Sequence, residues 1–68
     1  MNPLLIYEAT TEHAYPEVEA WCIENIGLWN EDWYRVRHDI AAVAVGWNKQ
    51  SYYFRRPEDR TMFMLRWA

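Results

Sequence analysis

A chain of 68 residues with one cysteine, Cys22, cannot staple itself with an internal disulfide. A domain of this size sits near the lower limit at which packing alone holds a fold. Each core residue must therefore bury a large area, and the sequence supplies five tryptophans, five tyrosines and two phenylalanines. Each such ring removes roughly 150–250 Å² from water when buried. Cys22 then reads as a small buried apolar residue rather than a nucleophile. With His13 and His38 it still lacks the fourth ligand of a zinc site, and no Cys-x-x-Cys pair exists. Neither a metal nor a cofactor is expected.

The order of elements follows from periodicity and punctuation, with no repeat or linker to divide residues 1–68 into more than one domain. Residues 4–9 (LLIYEA) form a short apolar run that predicts a first strand. The polar run from Thr10 to His13 offers hydroxyls to cap a helix. That helix is predicted from about Ala14 to Asn25 or Ile26, with Pro16 in its first turn and Gly27 just past its end. Val18, Trp21, Cys22 and Ile26 make a core-facing stripe, with Glu17, Glu24 and Asn25 on the other side. Glu17 and Glu19 lie near the positive end of the helix dipole.

Leu28 to Asp32 reads as a turn. Trp33-Tyr34-Arg35-Val36-Arg37-His38 then alternates bases with other residues, as a strand with one wet face does. Ala41 to Trp47 (AAVAVGW) reads as a further strand segment, and Trp47 to Gln50 as the hairpin turn. Ser51 to Arg56 (SYYFRR) is the partner strand, with Tyr52 and Phe54 on one face and Tyr53 and Arg55 on the other. Pro57-Glu58-Asp59 is a helix-start signal. Beyond it, Arg60, Phe63, Met64 and Trp67 share a helical face while Phe63, Leu65 and Trp67 alternate like a strand. Helix formers and the absence of a breaker favour a helix. The expectation is an α+β fold, β-α-β-β-α, with an antiparallel sheet and helices on one face.

Charge is divided between the halves. Residues 1–33 hold Glu8, Glu12, Glu17, Glu19, Glu24, Glu31 and Asp32 and no base, a charge of −7. Residues 34–68 hold all seven bases, six of them arginine, against Asp39, Glu58 and Asp59, a charge of +4. Either the halves pair across one small domain, or they present a dipolar surface that steers a charged partner. No apolar run approaches the ~18 residues that span a bilayer. The first residues, MNPLLIYEATTEH, lack the basic start of a secretory signal. A soluble cytoplasmic protein with a free thiol is expected.

The closing block, Tyr52 to Ala68, joins an aromatic strand, an acidic helix start and a Phe-x-Leu-x-Trp finish through Phe54, Asp59, Phe63, Leu65, Arg66 and Trp67. A Trp21-Cys22 helix followed by Gly27 accompanies it. In these features the chain resembles a group of small tailed-phage proteins, over about a third of its length. It departs from their pattern at Arg60, where they carry a small residue. The resemblance implies a phage setting and carries no shared activity.

Catalysis is not expected. No Ser/His/Asp set, glycine-rich phosphate loop or metal signature appears. Glu12-His13 and His38-Asp39 are neighbouring pairs of the kind common on surfaces, and a domain this small has little room for a ~300 Å³ ligand pocket. Tryptophan, tyrosine and arginine dominate protein interfaces, and twelve rings exceed what 68 residues can bury, so some of Trp29, Trp33, Trp47 and Tyr53 are expected at the surface. Protein binding is the preferred reading, through Trp29, Trp33, Arg35, Arg37, Trp47, Tyr53, Arg55 and Arg56. The partner would be a host protein, inhibited or redirected, or a second copy of the chain. Single-stranded nucleic acid, stacked on an Arg and aromatic sheet face, is the alternative. The net charge of −3 counts against it. A minor structural role in a virion is a third.

Overall fold

The computed structural model describes residues 2–13, 15–36 and 50–67. Strand β1 (Tyr7–Thr11) leads into helix α1 (Tyr15–Asn25). Strands β2 (Trp33–Val36) and β3 (Gln50–Phe54) follow, then helix α2 (Pro57–Trp67). The three strands form one sheet in the order β1-β3-β2, with β3 antiparallel to both neighbours. The fold is the expected α+β arrangement, β-α-β-β-α, as a single small domain.

Register decides which side chains share a face. Phe54 lies opposite Tyr7 and Trp33, and Tyr52 opposite Ala9 and Arg35. These make the inner face, which α1 and α2 cover. Tyr53 lies opposite Glu8 and Tyr34, and Ser51 opposite Thr10 and Val36, which makes the outer face. The core joins Ala9, Trp33, Tyr52 and Phe54 of the sheet to Val18, Cys22 and Ile26 of α1 and Phe63 and Trp67 of α2. The stripe read from the sequence of α1 therefore faces the core, with Trp21 partly buried against it. Phe63 packs against Tyr52 and Phe54, with ring centroids 5.0 Å from each. Trp21 meets Phe63 and Trp67 edge to face at 6.2 Å, which locks the two helices together.

β1 begins three residues later than the apolar run suggests. Leu5 N–H donates to the Asn2 carbonyl and Leu4 N–H to the Asn2 side chain, so the backbone turns before it can pair. The strand instead takes in Thr10 and Thr11. The Thr11 hydroxyl donates to the Trp67 carbonyl at 2.9 Å and accepts from the His13 N–H at 3.2 Å, tying the end of β1 to the end of α2. α2 starts on Pro57, with Glu58 and Asp59 in the first turn and Arg66 in the last, each where the dipole favours it. Its buried face is Asp59, Phe63 and Trp67, at i, i+4 and i+8. Met64 and Leu65 point away.

The segment expected to contain Arg37, His38, the Ala41–Trp47 strand and most of the 47–50 turn lies outside the described residues.

Candidate functional site

The turn after α1 is built around two residues. Gly27 has a φ of 149°, and a Cβ there would collide with the Asp32 carboxylate. Asp32 accepts from the Leu28 N–H at 3.0 Å, and its own N–H donates to the Leu28 carbonyl at 2.9 Å. Asn30 takes the left-handed conformation at φ 62° and accepts from the Asn2 N–H through its side chain at 2.8 Å. The turn is therefore fixed from both sides, and it holds out Trp29.

Trp29 is 46% exposed and lies on Tyr34, with ring centroids 4.4 Å apart and planes 33° from parallel. Tyr34 is cross-strand neighbour to Tyr53 on the outer face, and Tyr53 to Glu8. The Tyr53 hydroxyl donates to the Glu8 carboxylate at 2.5 Å, a bond that holds the phenol above its ordinary 10.0. Arg55 follows β3 in a bend, two residues past Tyr53; it is exposed and engaged by no acid among the described residues. The outer face thus presents Trp29, Tyr34 and Tyr53 in a row across β2 and β3, bordered by Glu8 and Arg55.

Of the eight residues named from the sequence, the structure brings Trp29, Tyr53 and Arg55 to this face. Trp33 is not at the surface but 1% exposed in the core, because its register partner Phe54 faces the helices. Its indole N–H donates to the Gly27 carbonyl at 3.0 Å, so the polar edge is satisfied inside. Arg35 shares the phase of Trp33 and so points to the helix side, not the wet face. Its Nε donates to Glu19 at 2.8 Å and its Nη1 to Gln50 at 3.4 Å. Arg56 stays at the surface but is engaged by Asp59 at 2.9 Å and Asp32 at 3.7 Å, and Asp59 holds the guanidinium above its ordinary value. Arg37 and Trp47 lie outside the described residues. Tyr34 is the member that sequence reasoning missed. The period-two alternation of Trp33 to Val36 was visible, but its phase was set by the bases instead of by the tryptophan.

The inner face also carries chemistry that packing makes inert. The Cys22 thiol is pushed up to about 12 by burial and, secondarily, by the Glu19 carboxylate, so it has no thiolate character near neutrality. Burial likewise raises the Tyr52 phenol, against the opposing pull of Arg35. Among the described residues no group of three or more His, Cys, Asp or Glu is arranged to hold a metal ion. No helix of the described residues is long and apolar enough to cross a membrane.

Compared with protein-family models, with curated proteins and with solved structures, the chain matches none of them.

Proposed function

We propose that this is a small accessory protein of phage type that acts by stoichiometric binding to a protein partner, without catalysis. The reading is carried by one observation: Trp29 is held out of a rigid turn and stacked on Tyr34 beside Tyr53. Rigid aromatic rings with polar edges are the side chains that dominate protein interfaces at small entropic cost. A turn fixed by Gly27, Asn30 and Asp32 has little left to lose on binding. The host setting rests on the likeness of the closing block, from Phe54 to Trp67, to small tailed-phage proteins. In that setting the partner is a host protein that the domain blocks or redirects.

The charge around the face favours protein over single-stranded nucleic acid. Stacking platforms for nucleic acid run beside a basic groove. Here Arg35 and Arg56 are spent on Glu19, Asp32 and Asp59, and Glu8 sits in the same row as Tyr53. The test compares capture from host lysate by the wild-type chain and by a Trp29→Ser, Tyr53→Ser variant that keeps the same circular dichroism. A partner in a simple molar ratio that the variant loses supports the reading. Equal capture by both, or a steeply salt-dependent shift of single-stranded oligonucleotides with no protein captured, overturns it.

A further inference from the structure

β1 is an edge of the sheet: β3 pairs with one side of it, and among the described residues no strand lies on the other. An open edge is a template for another strand, and proteins usually blunt it with charge, proline or a bulge. The strand Tyr-Glu-Ala-Thr-Thr carries one such device, Glu8. Among the described residues the helix flank above this edge is also partly open. Arg60 sets that flank, its guanidinium 5.8 Å from the ring centroid of Tyr7 on β1. Met64 stands one turn further on the same stripe and is 47% exposed. The centre of the helix, Phe63 and Trp67, meets Trp21 of α1. An open strand edge and an exposed methionine therefore lie side by side.

We infer that this edge takes a second copy of the chain, with β1 antiparallel to β1 and the register centred on Ala9. The strand's own sequence argues for that occupant. Pairing about Ala9 sets Tyr7 opposite Thr11 and Glu8 opposite Thr10, each twice by symmetry. The one charge on the strand meets a hydroxyl donor instead of its own copy. Small Ala9 sits at the dyad, and the two α2 helices run side by side above it with Met64 facing Met64. Five paired residues are a small contact beside the ~1,200 Å² of a stable specific interface, so the helix contact is a required part of the assembly.

The dyad stands perpendicular to the sheet. Both helix layers then stay on one side of a six-stranded sheet, and both outer faces on the other. Two copies of the Trp29, Tyr34 and Tyr53 row point the same way, which suits a partner with two equivalent sites. That consequence rests on the partner reading, whereas the dimer itself does not.

Sedimentation of the full chain from micromolar to sub-millimolar concentration tests it, with an expected mass twice the 8.3 kDa of one chain at the upper end. Thr10→Glu sets an acid against Glu8 twice and is expected to weaken association about tenfold, and Thr10→Lys to tighten it by a similar factor. Met64→Asp is expected to leave a folded monomer. A monomer throughout overturns the proposal. A dimer indifferent to both Thr10 substitutions also overturns it, since the contact then lies elsewhere. Either failure leaves the capture experiment on the Trp29 face untouched.

Discussion

Arg35 on β2 donates through Nε to the Glu19 carboxylate on α1 at 2.8 Å, across the boundary between the acidic and basic halves of the chain. The side chains are 13% and 26% exposed, so the pair is largely removed from water. Arg56 and Asp32 make a second, looser link between the same halves at 3.7 Å. Part of the charge division is therefore internal pairing. The rest stays at the surface, with Glu17 and Glu24 exposed on α1 and Arg55 and Arg66 exposed beyond β3.

Removing one member of the Glu19 and Arg35 pair leaves the other in a poorly hydrated position without that ion pair. Glu19→Ala and Arg35→Ala are each expected to cost about 1–3 kcal/mol. An apolar pair, Glu19→Leu with Arg35→Met, is expected to recover most of that loss. Denaturant melts of wild type, the two alanine variants and their double alanine variant measure the coupling, and strictly additive losses would contradict it.

The finish Phe63-Met64-Leu65-Arg66-Trp67 separates a helix from a strand by experiment. Phe63 is fully buried and Leu65 is 85% exposed. Phe63→Ala is expected to cost about 3–5 kcal/mol, a large part of the stability of so small a domain. Leu65→Ala is expected to stay within roughly 0.5 kcal/mol of wild type. Thermal melts of the two variants suffice, and comparable losses from both would fit a strand in place of α2.

Gly27 is required by conformation as well as by space. Gly27→Ala is expected to destabilise the chain by about 1–3 kcal/mol. Its effect should also reach Trp29, since a displaced Asp32 no longer holds the Leu28 N–H. Tryptophan fluorescence of the folded variant, compared with that of Trp29→Phe, reports whether the stacked ring has moved.

Alkaline conditions act through Cys22. Its thiol ionises at an ordinary 9.0 when unfolded and near 12 when folded, so ionisation favours the unfolded chain. The stabilisation is fully present below pH 9 and is lost progressively as pH climbs from 9 towards 12. Tyr52, raised in the same direction from 10.0, adds to the loss at the upper end. Urea midpoints are expected to be level from pH 7 to 8.5 and to fall above 9. A Cys22→Ala chain, weaker throughout, is expected to fall less steeply between pH 9 and 10.

The sequence made much of this layout legible where one physical signal dominated. The stripe Val18, Cys22 and Ile26 and the start of α2 at Pro57 are decided by local pattern and dipole, and both stand in the structure. Where two signals competed, the phase went astray. Trp33 and Arg35 lie two residues apart and must share a face. Burying an indole outweighs wetting a guanidinium that finds Glu19 within reach, so the arginine followed the tryptophan inward. The strand before it slipped for a local reason, because an Asn2 turn consumes the backbone that Leu4 to Ile6 would have paired. Exposure misled in one more respect. Among the described residues, the exposed large apolar side chains other than Trp29 are aliphatic or methionine, among them Leu4, Ile6, Ile23, Leu28 and Leu65, while Trp33, Tyr52, Phe54, Phe63 and Trp67 fill the core.

The burial of Cys22 gives the chain a built-in clock. It is the single thiol of the sequence, fully enclosed and protonated while the domain is closed. A thiol reagent added near neutral pH therefore counts openings of the core one molecule at a time, with no label introduced. Any partner that grips the outer face and holds the domain shut will register as a slower count, even before it has been identified.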